Sequence, residues 1–262
     1  MIDIQKESAK HEIDIDKVGV KGVKYPIVVL DKKNKSQNTV ATINMYVDLP
    51  RSFRGTHMSR FIEILDRHKG RMTFHNISPI LSEMKEKLDA KSAHLEIAFP
   101  YFIEKTAPVS GQKSFMVYEC KFIASQNDDD EFILEVNIPV MSLCPCSKEI
   151  SDRGAHSQRS IVTVRIKING IVWIEDIVNL VESAASSDVY ALLKREDEKY
   201  VTEKAYDNPR FAEDMVRQIA VELEKIQQVT WFMVETENFE SIHNHNAYAS
   251  VSRYTERMKD EA

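Results

Sequence analysis

Cysteine is scarce in this chain, three among 262 residues, and so small and odd a number excludes a disulfide framework. No second cysteine pair stands anywhere to complete a structural zinc knuckle around Cys144 and Cys146, which a single residue separates. Cys120 falls in a strand-like run and is expected as a small buried apolar side chain. Positive charge is not in excess: 35 Lys and Arg stand against 41 Asp and Glu, a net charge of −6 with a pI near 5.8. That balance excludes the basic face that non-specific nucleic-acid binding needs, but leaves room for a few local cations against one small polyanion. No apolar run approaches the ~20 residues that span a bilayer, and the polar first 22 residues do not read as a signal peptide. What is present is 43% hydrophobic content, enough for one large core or two small ones. The expectation is a cytoplasmic protein with reduced thiols and no membrane or nucleic-acid partner.

The order of elements suggests a duplication. After the tail, Tyr25 to Leu30 and Ala41 to Leu49 alternate like the strands of a hairpin. Helical spacing follows, with Thr56 as N-cap and Met58, Phe61, Ile62 and Leu65 on one face. Ser78-Pro79 predicts the start of a second helix, and strands are expected over residues 93–103 and 114–124. The second half repeats that order. A strand over 131–140 is expected to stop near Pro139, followed by a polar loop and a strand over 161–168. A helix face runs from Trp173 to Val181, and Asn208-Pro209 repeats the cap-then-proline signal before another helix. Strands over 231–237 and 247–254 close the chain. The pattern is β-β-α-α-β-β twice, an α+β fold of antiparallel sheets with helices on one face. Aligning the two proline signals places Glu83 opposite Glu213 and Leu81 opposite Phe211. The polar stretch 186–207 interrupts the symmetry as a long connection of the kind that is often functional.

Chemistry concentrates in the loop from Leu143 to Ser160, LCPCSKEISDRGAHSQRS. A thiolate at Cys146 and an imidazole at His156 supply two ligands for a catalytic metal, which needs about three and an open position. A carboxylate is the natural third, with Glu196, Glu198 and Glu240 available. The rival mechanism pairs Cys146 with His156 as nucleophile and base for acyl transfer. Glu213, early in its helix, either serves the helix dipole or accepts a pair of N–H donors from a heterocycle. Glu240, His243 and His245 share a loop suited to proton transfer near neutral pH, or to plain solvation.

LCPCSKEIS followed by GAHSQRS resembles the signature of the prokaryotic GTP cyclohydrolase IB family. GTHMSRF (Gly55 to Phe61), NPRFAED (Asn208 to Asp214) and ESIHNHNA match it as well, so the resemblance spans nearly the whole chain. It implies a tandem tunnelling fold: a polar tail over 1–22, a first unit over 23–128, and a second over 129–262 carrying most of the active site. It implies homotetramers, and hydrolysis of GTP at purine C8, releasing formate and forming 7,8-dihydroneopterin triphosphate on the way to folate. By the same resemblance, Cys146, His156 and Glu198 hold a divalent metal, either Zn, Mn or Fe. Glu213 anchors the guanine edge, and Glu240 and His243 move protons. Cys144 matches a family cysteine as well, and it joins Cys146 among the catalytic candidates with its role left open. Arg60 and Arg159, with Lys148 behind them, are the cations expected against the triphosphate. The alternatives are a nitrile reductase of the same fold, using its cysteine covalently, or a purine-binding protein without catalysis.

Overall fold

The computed structural model of the chain describes residues 5, 7, 11–127 and 130–259, so residues 1–4, 6 and 8–10 of the predicted tail lie outside it. The elements run β1 (Ile15–Asp31), β2 (Lys35–Leu49), α1 (Met58–His68), α2 (Phe74–Leu88), β3 (Ala93–Thr106) and β4 (Lys113–Gln126). Then come β5 (Asp130–Leu143), α3 (Pro145–Ile150), β6 (Ser157–Ile168), α4 (Ile174–Ala184), β7 (Ser187–Asp188) and α5 (Arg195–Asp207). The chain ends with α6 (Ala212–Lys225), β8 (Val229–Asn238), β9 (Ala247–Tyr254) and a short α7 (Glu256–Lys259). The β-β-α-α-β-β order is therefore present twice, the second copy enlarged by α3, β7 and α5. Strands pair in the order β1-β2-β3-β4-β5-β6-β8-β9, with β7 on β5. The chain packs as two compact units, residues 1–100 with 121–133, and 101–120 with 134–262. Each takes part of β3, β4 and β5, a division different from the repeat counted along the chain.

In the first unit, β2 shows why the strand forms. Ala41, Ile43, Met45, Val47 and Leu49 are buried while Thr42, Asn44 and Tyr46 alternate with them at the surface. Each such large apolar side chain contributes roughly 1.5–3 kcal/mol on burial. β1 opens at Ile15, so a strand occupies residues 15–22 that sequence assigned to the tail. α1 starts after His57 rather than Thr56, and buries Phe61, Ile64 and Leu65 while Met58 and Ile62 stay exposed. α2 begins after Thr73, which leaves Pro79 inside the helix instead of at its start. Ser78 does not cap; its hydroxyl donates to Asp130 at 2.8 Å. Glu83 ends up in mid-helix, 2.9 Å from Arg67, 2.8 Å from His68 and 3.3 Å from Lys87.

In the second unit, Leu134, Val136, Ile138 and Val140 of β5 and Val162, Val164 and Ile166 of β6 carry the apolar alternation. β5 runs on through Pro139 to Leu143, since its buried face continues and β7 pairs with Val140 and Met141. α6 buries Met215, Val216, Ile219, Ala220 and Leu223, spaced as one helical face. Asn208-Pro209 does not open α6. Asn208 closes α5, its amide donating to Ala185 O at 2.8 Å, and α6 starts after Phe211. The predicted long connection holds β7 and α5. Asp197 anchors α5 by accepting from Ser110 Oγ (2.5 Å), the amides of Val109 and Ser110 (2.8 Å each) and the amide of Lys194 (2.8 Å). Burial opposes its charge, yet those donors hold the carboxyl below the usual range. A second buried cluster ties β3 to α4 and β7. Lys105 Nζ lies 2.8 Å from Glu182 and 3.2 Å from Asp188, Tyr118 donates to Glu182 at 2.9 Å, and Lys204 reaches Asp188 at 2.6 Å. Burial pushes Glu182 up. Burial also opposes the charge on Asp188, but hydrogen bonds from Lys204 and Tyr190 and the charge of Lys105 bring it to about 2.

Candidate active site

The buried faces of three strands turn polar at one end, and there the site begins. Along β5 the buried positions pass from Val140 to Ser142; along β6, read backwards, they pass from Val162 to Ser160 and Gln158; along β8 they pass from Val234 to Thr236 and Asn238. The register joins them, pairing Val162 with Thr236 and Ser160 with Asn238. Ser160 Oγ donates to Ser142 Oγ at 2.9 Å, and Gln158 Nε2 donates to Ser142 Oγ at 3.0 Å and to Glu240 Oε1 at 3.4 Å. Buried polar groups need such partners, so this end of the sheet is a connected network.

The loop between β5 and β6 is fastened to that network. Cys144 N donates to His156 O at 3.1 Å, bringing the first thiol beside the histidine backbone. Cys144 then caps α3, its Sγ accepting from Ser147 N at 3.4 Å, while Ser147 Oγ accepts from His156 N at 3.1 Å. Gly154, at φ 154°, takes a backbone angle that other residues seldom adopt, and lets the loop return to β6. The His156 ring follows. Its Nδ1 lies 2.9 Å from Gln158 Oε1 and 3.7 Å from Glu240 Oε2, with the His156 and Glu240 side chains each 13% exposed. No described residue bonds Nε2, which leaves it for a ligand or a proton. Leu143 is held from the other side, its N–H donating to Ser186 Oγ at 3.0 Å and its carbonyl accepting from Arg210 N at 3.1 Å. Arg210 thus fastens the approach to α6 to the loop, while Asn208 ties it to Ala185 and Ser186.

The predicted residues divide into those this network gathers and those it does not. Cys144, His156 and Glu240 meet in it. Cys146 is exposed on α3. Glu213 is exposed in the first turn of α6, and its carboxylate makes no hydrogen bond or ion pair among the described residues. His243 is exposed in the β8–β9 loop and stacks on His245, ring centroids 4.9 Å apart at 18°. Arg159 is exposed, contributing its carbonyl to Phe239 N at 3.1 Å. Arg60 belongs to the first unit, where its guanidinium donates to Lys87 O at 2.7 Å. Lys148 lies over the Tyr206 ring, 4.3 Å from its centroid, and donates to the Tyr206 carbonyl. Glu198 is exposed on α5, next to the buried Asp197.

The expected set of Cys146, His156 and Glu198 is not assembled. Among the described residues no three His, Cys, Asp or Glu side chains are grouped closely enough to hold a metal. The donors nonetheless suit one chemically. A metal-binding histidine usually donates its second ring N–H to a neighbour, as His156 does to Gln158. A cavity of about 590 Å³ between α4 and α6, lined by Asp176, Arg210, Gln218 and Glu222 among others, contains none of the predicted site residues. Gln158 and Ser142 escaped the sequence reading. The available signal was a polar residue at a buried position of an otherwise apolar strand face.

Comparison with known proteins fits this geometry. The family model described as "Type I GTP cyclohydrolase folE2" matches residues 1–249. A GTP cyclohydrolase FolE2 of Geotalea uraniireducens is 59% identical over 253 residues, covering 97% of this chain and 93% of that one. The corresponding protein of Kosmotoga olearia is 52% identical, covering 97% and 98%. Among solved structures, a uricase from Bacillus fastidious superposes with a TM-score of 0.60 at 10% identity, covering 97% and 96% of the two chains. Urate oxidase from Bacillus subtilis 168 gives 0.56 at 8%, covering 92% and 99%. At such identities these two speak for the fold alone, which is the tunnelling fold that the family resemblance implied. By a match over nearly its whole length, the chain belongs to the type I GTP cyclohydrolase family of the FolE2 kind.

Proposed function

We propose that the chain hydrolyses GTP at C8 of the purine, releasing formate and forming 7,8-dihydroneopterin triphosphate for folate synthesis. The observation that carries this is the family match joined to a His156 ring whose Nδ1 is engaged and whose Nε2 is open. Family membership argues against the reductase and the non-catalytic binder. Glu213 accepts two N–H donors of the guanine edge, a task that suits an exposed carboxylate without another partner among the described residues. Glu240 and His243 handle the protons that ring opening requires, with Glu240 held by Gln158 and facing His156. Arg159, Arg60 and Lys148 are the cations proposed for the triphosphate, and the first two carry it with the fewer competing contacts.

His156, Cys146 and Glu198 are the proposed ligands of a divalent Zn, Mn or Fe ion. When bound, such an ion supplies a water whose pKa falls to about 7. A second assignment has Cys144 as the thiolate, favoured by its backbone bond to His156. Metal content of Cys144→Ala and Cys146→Ala proteins separates the two: loss in the second supports the first assignment, and loss only in Cys144→Ala reverses it. The working form is proposed as a cytoplasmic homotetramer, giving the mass of four 30.2 kDa chains by light scattering. No helix among the described residues is long and apolar enough to cross a membrane. The activity itself is tested by incubating the protein with GTP and Zn(II), Mn(II) or Fe(II), then measuring formate and, after oxidation, pterin fluorescence. No turnover with any of the three ions sinks the proposal.

A further inference from the structure

Gln158 is a polar side chain where the strand pattern calls for an apolar one, only 9% exposed, and it touches three groups of the site. Its Oε1 lies 2.9 Å from His156 Nδ1, and its Nε2 lies 3.0 Å from Ser142 Oγ and 3.4 Å from Glu240 Oε1. The orientation of the amide follows from its surroundings. Turning it over would put its oxygen against the Glu240 carboxylate, two acceptors facing each other, and its NH₂ against the ring. With the oxygen toward the ring, a lone pair on Nδ1 would meet a lone pair on Oε1 at hydrogen-bond distance. Nδ1 therefore carries the proton, and in the neutral ring the lone pair is on Nε2. A free imidazole side chain in water favours the opposite arrangement, with the proton on Nε2.

We propose that Gln158 is a positioning residue that holds neutral His156 in its Nδ1–H tautomer, keeping the Nε2 lone pair directed to the reacting centre. The functional consequence rests on His156 serving through Nε2, as proposed above; the tautomer itself does not. The chain of control runs from Ser142 and Glu240, which orient the amide, through Gln158, which orients the ring. Ser160 supports it from behind by donating to Ser142. Glu240 also approaches Nδ1 at 3.7 Å, too far for a hydrogen bond but of the sign that favours a proton there. Gln158 thus couples the residue proposed to move protons with the one proposed to bind the metal.

Tautomers are read directly by nitrogen-15 chemical shifts of histidine in the full chain, labelled at its imidazoles and stripped of metal, at a pH where the ring is neutral. His156 is assigned by the signal missing from His156→Gln. The expected wild-type result is a protonated Nδ1. Gln158→Leu is expected to shift the ring toward Nε2–H and weaken Zn(II) binding about 10–100-fold, the usual effect of losing a ligand's supporting partner. Gln158→Glu keeps an acceptor for Nδ1–H and is expected to retain the tautomer. A wild-type ring protonated on Nε2, or a Gln158→Leu ring that stays Nδ1–H, overturns the proposal. If the wild-type ring is Nδ1–H but Zn(II) leaves its shifts unchanged, the tautomer lock stands and the ligand assignment of His156 falls. Should Gln158→Leu not fold, Gln158→Met, of similar length but without an amide acceptor, replaces it: a ring that stays Nδ1–H there overturns the proposal.

Discussion

Glu83 and Glu213 occupy corresponding places when the two halves of the chain are aligned by sequence, and the protein treats them in opposite ways. Glu83, in the first unit, is shared by Arg67, His68 and Lys87, and its side chain is 20% exposed. Glu213, in the second, stands exposed at the start of α6 with no partner among the described residues. A carboxylate whose valences are filled from its own chain is part of the scaffold; one left open in a loop-bearing unit is available to a ligand. The contrast recurs within the second unit. Lys105, Glu182 and Asp188 form a largely buried cluster that Lys204 closes from the surface, whereas no described residue bonds His156 Nε2.

The comparison is broken most forcefully at His156. His156→Ala is expected to lower kcat/KM for GTP by about 10²–10⁴-fold while leaving the urea midpoint nearly unchanged, as for loss of a group acting at the reacting centre. Asp188→Asn should do the reverse. It removes the carboxylate that Lys204 reaches and that Lys105 shares with Glu182, and is expected to cost about 3 kcal/mol of stability, read by urea unfolding, with modest change in turnover per folded molecule. Glu213→Ala is expected to lose about 1–3 kcal/mol of guanine recognition, raising KM for GTP with little effect on stability. The mildest change is Glu83→Ala, which breaks partly exposed ion pairs and is expected to cost about 1 kcal/mol in stability and nothing in kcat/KM. A large catalytic loss there, or none at Glu213, would erase the distinction.

Acid sharpens the same contrast. The carboxyl of Asp188 lies near 2 in the folded chain against 3.8 unperturbed, so its contribution is full above about 4 and disappears as the pH falls through about 2. At 1.36 kcal/mol per pKa unit, the fall from 3.8 to about 2 amounts to about 2.5 kcal/mol, and Asp188→Asn should lose this part of the pH dependence. Unfolding midpoints measured between pH 5 and pH 2 check it.

The strand pattern was legible because apolar residues alternate at period two: β2 buries every second residue from Thr39 to Leu49, β6 does so from Gln158 to Ile166 with Thr163 buried in addition, and β9 falls on its predicted limits. Helix starts were not. Ser78-Pro79 and Asn208-Pro209 carry the same local signal, yet one lies inside a helix and the other ends one, because tertiary partners claimed both polar side chains. α5 was read as a polar connection for a related reason. Its sequence is mostly solvent-facing, and the feature that secures it is Asp197, whose partners Val109 and Ser110 lie far away in sequence. In the site, His156 and Glu240 were visible as reactive types in short loops, and the structure joins them through Gln158. An amide buried among serines has no reactive signature, and only the inward-facing parity of β6 marks it. The neighbours Asp197 and Glu198 show the limit from the other side: sequence singled out the second, while geometry gives the first its structural role.

The central claim is that this open set of side chains cleaves the guanine ring at C8. The most direct measurement uses GTP carrying carbon-13 at C8, mixed with the metal-supplied protein, with the label followed by NMR. The expected result is labelled formate appearing in step with an unlabelled dihydropterin product, abolished in His156→Ala. Label retained in the purine, or formate released equally by His156→Ala, would contradict the account.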